Sequence, residues 1–230
     1  MKNSLLPMGR AILGFKSAVT GGGITMRKPG SMKGLEELGR VRLSPNFFFR
    51  DFLHSEIASF YGLSNSPEDP DLAIEVGTHL CEELLEPLQA SFGRLHIRSA
   101  YRSREVNDFG NRNKLNCSSN QGSAAGHIWD MHDADGRMGA TACIVIPCVW
   151  DRFQAPGDWQ RLAWWIHDHL PYASLQFFPK LWAVNVQWHE KPMRLITSFA
   201  EPRGTLTRPG MDNHMADHAD LYPGFPSMTR

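Results

Sequence analysis

The 230-residue chain is 42% hydrophobic and balances 24 Lys and Arg against 24 Asp and Glu. It can bury a domain-sized core, and its zero net charge argues against a nucleic-acid binder that works through bulk electrostatics. No apolar run reaches the ~18 residues a bilayer span requires. Cys81, Cys117, Cys143 and Cys148 form no C-x-x-C pair, so no disulfide framework is implied and a reducing, cytoplasmic setting is the default expectation.

Residues 1–42 carry eight Lys and Arg against two Glu. They lack a sustained apolar period and are expected to be a disordered basic segment. Pro7, Gly9, Arg10 and Lys16 interrupt the apolar stretch at the very start, which therefore makes a poor signal peptide. Order is expected from residue 43. Phe48, Phe52 and Ile57 space as one helical face that Gly62 ends. Asp69 and Pro70 then open the clearest helix, with Leu72, Val76, Leu80, Leu84 and Leu88 in a row at i, i+4 spacing and Gly93 as its stop.

At "RLHIRSAYRS" the period changes to two, predicting a strand, and "REVNDF" suits a short helix. Residues 110–126 have loop composition. "ATACIVIP" reads as a buried strand. "DWQRLAWWIHDHLP" reads as a helix capped by Asp158, and "SLQFFP" and "LWAVNVQWH" as two further strands. From residue 201 the chain is Pro-, Gly-, Asp- and His-rich, and an irregular tail is expected. Helices first and a small sheet second give an α+β class for residues 43–200, with N-terminal helices packed on a mostly antiparallel sheet.

The chemistry concentrates in "GHIWDMHDADGRMGATACIVIP", Gly126 to Pro147, where His127, Asp130, His132, Asp133 and Asp135 precede the apolar strand. A catalytic zinc takes three N, O or S ligands and keeps a fourth position for water, whose pKa it lowers towards about 7. A surface loop whose aspartates cap turns accounts for the same residues. The run "DADG" does not complete the spacing of a calcium loop.

Four segments in this order resemble the M15 peptidases of the Hedgehog/DD-peptidase fold. They are "LSPNFFFRDFLHSEIA", "LCEELLEPLQASFGRLHIRSAYRSREVN", the His/Asp loop with its strand, and "LQFFPKLWAVNVQWHEKPMR". The resemblance implies a zinc-dependent peptidase acting on peptidoglycan stem peptides. His127 with Asp133 or Asp135 would hold the metal and His189, beside Trp188, would complete it. Arg102, with Tyr101 and Ser103, would face the substrate's carboxylate. Glu190 is the carboxylate nearest His189 in sequence and the candidate general base, although neighbours on a strand face opposite ways.

The spacing departs from the family's H-x6-D. Seven residues beyond His127 lies Ala134, between Asp133 and Asp135. Matching the glycine and the strand puts Cys143 at the acidic position instead, and another registration of the last strand puts Asn185 at the final ligand. A catalytically degenerate member that binds wall peptide, or serves a phage-related assembly, is the alternative function. Arg102 equally suits an ion pair with Glu105 or Asp108, and Cys143 a core position. His167 and His169 suit the negative end of a helix dipole, and His214 and His218 a solvated tail.

Overall fold

A computed structural model describes residues 26–228 of the chain; the signal-peptide question falls on residues outside that range. Within the basic segment, Ser31 accepts the Gly34 N–H and starts a helix, α1 (Met32–Gly39). The expected helix around Phe48–Gly62 is divided in two. A 3-10 turn spans Phe49–Phe52, and Ser55 caps a separate helix, α2 (Glu56–Tyr61), which Gly62 closes at φ 67°.

The long helix begins as its sequence dictates. Asp69 accepts the Leu72 N–H, Pro70 follows, and α3 (Pro70–Leu80) runs through a π-helical turn (Cys81–Leu85) into α4 (Glu86–Phe92). The widened turn has a local cause. Pro87 carries no N–H and would crowd the carbonyl one α-turn back, and a π turn absorbs both. Leu80, Leu84 and Leu88 are fully buried along this helix.

Strand β1 (His96–Ser99) leads through the Ser103-capped α5 (Arg104–Arg112) and the short α6 (Asn120–Ser123) to β2 (Gly139–Val145). Helix α7 (Pro147–Arg152), which the sequence reading missed, and α8 (Trp159–His169) follow. Asp158 does not cap α8 with its side chain; it accepts the Ala155 N–H and pairs with Arg161. Strands β3 (Ser174–Phe177), β4 (Val184–His189), β5 (Leu195–Ser198) and β6 (Gly204–Thr207) complete the strands among the described residues.

The fold is α+β with one six-stranded open sheet, ordered β1-β2-β4-β3-β5-β6. Every pairing is antiparallel except β3 with β5. Strand β4 alternates, burying Val184, Val186 and Trp188 and turning Asn185, Gln187 and His189 the other way. The buried side meets α3 and the π turn, with the His79 ring stacked on Trp188 at 4.4 Å. Trp159 of α8 packs on Phe177 on the same side. Helices thus cover one face and leave the polar face to form a cleft floor.

The segment after residue 201 is not a free tail. β6 pairs with β5, Trp165 donates to the Pro226 carbonyl, and Phe225 packs on Phe92 and Phe153. No helix among the described residues is long and apolar enough to cross a membrane.

One glycine fixes how closely the His/Asp loop approaches the sheet. A Cβ at Gly139 would collide with the Ala125 carbonyl and lie 2.7 Å from His189 Cδ2. Gly139→Ala is therefore expected to destabilise the protein by about 1–3 kcal/mol, as overpacking does. In urea unfolding this appears as a lower midpoint with an unchanged slope.

Candidate functional site

The loop that follows α6 runs along β2 in step with it. Ala125 sits over Gly139, the Gly126 carbonyl accepts the Thr141 N–H at 2.9 Å, and His127 comes level with the next outward residue, Cys143. Trp129 anchors the far end by donating to the Thr141 carbonyl at 3.2 Å. Opposite Cys143 in the β2–β4 register stands Asn185; Gln187 faces Thr141 and His189 faces Gly139. His127, Cys143 and Asn185 therefore line one cleft, together with Arg98, Tyr101 and Arg102.

His127 and the "YRS" segment fix each other. Its Nδ1 bonds the Ala100 carbonyl at 2.8 Å, while the Arg102 N–H donates to the His127 carbonyl at 2.8 Å. A carbonyl only accepts, so Nδ1 carries the proton and Nε2 keeps its lone pair. Among the described residues Nε2 has no hydrogen-bond partner, yet it is not sealed from solvent. Burial, with the Arg102 charge behind it, pushes the ring's pKa down to about 3. The imidazole is neutral throughout the physiological range.

Arg102 is half-buried, and its Nη1 donates to Cys117 Sγ at 2.6 Å. The ion pair expected with Glu105 or Asp108 is not formed; Asp108 pairs with Arg112 at 2.9 Å. Among the described residues neither Arg102 nor Arg98 has a carboxylate partner. Two guanidinium groups against the single acid Glu56 make this end of the cleft attractive to anions. The remaining expected contacts, Tyr101 and Ser103, spend their hydroxyls internally. Tyr101 donates to the buried Asp130, and Ser103 donates to the Ser64 carbonyl and caps α5.

The expected zinc ligands separate into two places. Asp133 shapes a tight turn, its Oδ1 accepting the Asp135 and Arg137 N–H groups at 2.9 and 2.8 Å. Those bonds, the Arg137 one first, hold its carboxyl below the usual range. Its Oδ2 meets His189 Nε2 at 3.2 Å in a side pocket that does not include His127. His189 shares Asn185's face of β4, but four residues along a strand is about 13 Å. Asp135 turns to Arg137, and Glu190, exposed beyond the strand's end, accepts the Met138 N–H.

His127, Asp133, Asp135 and His189 therefore do not assemble as a three-donor group among the described residues. The donors beside His127 are a thiol whose pKa burial raises and a neutral amide. That set does not suit a catalytic zinc.

A group that could hold a metal lies elsewhere. His167, Asp168 and His218 bring one donor atom each within 4.8 Å of one another. Composition places His218 in a solvated tail, whereas the residue is 2% exposed and its ring is stacked on Trp164 at 4.0 Å. Only the i, i+4 spacing of His214 and His218 hinted at this. Comparison with protein-family models, curated proteins and solved structures finds no match to this chain.

The His127 environment has a measurable acid signature. Between about pH 6.5 and 3 the unfolded chain takes up a proton that the folded chain refuses, so stability falls as pH drops through that window. His127→Gln is expected to reduce the pH-slope of the unfolding free energy there by up to about one proton. Chemical denaturation at stepped pH measures it.

Proposed function

We propose that this protein is a binding module built on a Hedgehog/DD-peptidase-like scaffold. It takes a carboxylate-bearing peptide of the peptidoglycan stem class in the cleft between the "YRS" segment and β4, and does not hydrolyse it. The observation that carries the reading is an Arg102 guanidinium with no carboxylate partner among the described residues, in a cleft it shares with His127, Cys143 and Asn185. The ordered resemblance of four segments supplies the ligand class, and the anion-attracting cleft is consistent with it.

Each residue then has a part in recognition. Arg102, supported by Arg98, pairs with the peptide's carboxylate; a guanidinium fork suits two carboxylate oxygens. The neutral His127 offers Nε2 to a peptide N–H, and Asn185, whose amide meets Gln176 at 3.5 Å, offers donor and acceptor together. Phe178 and Phe199, 5.7 Å apart, give the cleft an apolar wall. Backbone groups of the peptide are thereby matched while its end is held by charge.

Calorimetry with a stem peptide carrying a free C-terminal carboxylate, beside its amidated form, tests the reading. The free acid should bind, and amidation or Arg102→Ala should each weaken binding about 10–100-fold, the worth of a charge-assisted hydrogen bond of about 1.5–3 kcal/mol. The peptide should be recovered intact after incubation with Zn2+. Cleavage that a chelator abolishes would restore the peptidase reading, and equal affinity for acid and amide would remove the role of Arg102.

A further inference from the structure

On the helix-covered side of the sheet, α8 and the C-terminal segment enclose a polar cluster that the cleft does not use. His218 is clamped at both nitrogens, Nδ1 facing Asp168 Oδ1 at 2.7 Å and Nε2 facing the Asn213 carbonyl at 2.7 Å. The ring is thus held by an oxygen at each nitrogen. The second oxygen of Asp168 receives the Tyr222 hydroxyl at 2.8 Å. His167 joins from the preceding position of α8, with Nε2 to the His214 carbonyl at 2.9 Å and Nδ1 to the Tyr172 hydroxyl at 2.6 Å.

We propose that His167, Asp168 and His218 form a site for a divalent transition metal of the zinc class, which fastens the C-terminal segment to α8. Three observations on the cluster agree. The donors are two imidazoles and one carboxylate, a set that suits zinc better than calcium or magnesium. His218 keeps the Asn213 carbonyl at Nε2, either nitrogen of His167 leaves the other with a protein oxygen, and the carboxylate has a tyrosine hydroxyl, the outer contacts that orient metal ligands. Finally, Asp168 lies on a surface recess with His169, Ala219 and Tyr222, which gives an ion a way in.

On binding, any proton shared between His218 Nδ1 and Asp168 Oδ1 leaves to solvent, and the cation takes its place between the imidazole and the carboxylate. His167 contributes whichever nitrogen gives up its present partner. Tyr172 has a second acceptor, the Arg194 carbonyl at 3.4 Å, to receive its hydroxyl. Donors now up to 4.8 Å apart must draw in to suit bonds of about 2.0–2.2 Å, and the exposed Asp168 can supply that movement. The Arg194 guanidinium, 4.3 Å from the Tyr172 ring centre, works against a cation, so micromolar affinity is expected rather than that of a zinc finger.

Between the end of β6 and residue 228 the segment has only 3-10 turns as regular structure. A link from residue 218 back to residues 167 and 168 would therefore change its stability visibly. The test is titration of the metal-free full-length protein with Zn2+ by calorimetry and with Co2+ by visible absorption. One ion per chain is expected, with a thermal midpoint that rises with Zn2+ and falls back with chelator. Asp168→Asn, which keeps an acceptor for His218, and His218→Gln should each weaken binding at least tenfold.

Histidine NMR on the unmodified chain removes dependence on how the variants fold. The His167 and His218 ring signals should shift with Zn2+ while those of His127 and His189 stay in place. Absence of saturable binding, binding unchanged in both variants, or shifts confined to His127 or His189 would overturn the proposal.

Discussion

The antiparallel register of β2 on β4 is the constraint from which the rest of this site follows. It sets Cys143 opposite Asn185, Thr141 opposite Gln187 and Gly139 opposite His189. Because side chains alternate along a strand, a slip of one residue would exchange the polar face for the apolar one. Val184, Val186 and Trp188, all buried against helices, forbid that slip. The His/Asp loop adds a second lock, since Ala125 accepts from Gln187 and Gly126 from Thr141. His127 is thereby carried past His189 and stops beside Cys143 and Asn185.

Much of this was legible locally. The Asp69–Pro70 start, the leucine row, the buried β2 and a strand ending at His189 are written in residues close together in the chain, and they form. What the sequence concealed depends on distant partners. The Pro87-driven π turn has a local cause but no periodic signature. The C-terminal segment shows no period at all; its order comes from α8, through Pro226 on Trp165 and His218 on Asp168. A solvated tail was the natural reading of such composition, and only the partner fifty residues upstream reverses it.

The candidate site shows the same division. That Arg102 and His127 belong together was readable from the "YRS" and "GHIWD" segments, and the reciprocal bonds through Ala100 and the His127 carbonyl realise it. Which residues complete the site was not readable, because the Trp188–His189 pair suggests a ligand while the pleat sets it four residues from the centre. The aspartates of the loop had two readings, and Asp133 takes the turn-forming one. The cleft thus centres on an imidazole, a thiol and an amide. The sheet also separates two groups of polar side chains, with the Arg102–His127 cleft on the open face and the His167–Asp168–His218 cluster behind it.

The register itself is the most direct point of attack. Backbone nuclear Overhauser contacts across β2 and β4, measured on the isotope-labelled protein, report which residues face each other. Contacts pairing Cys143 with Asn185 and Thr141 with Gln187 are expected, with the His127 ring near the first pair. Contacts pairing Cys143 with His189, or the His127 ring with His189 and Asp133, would contradict this register and return the zinc ligands to a common centre.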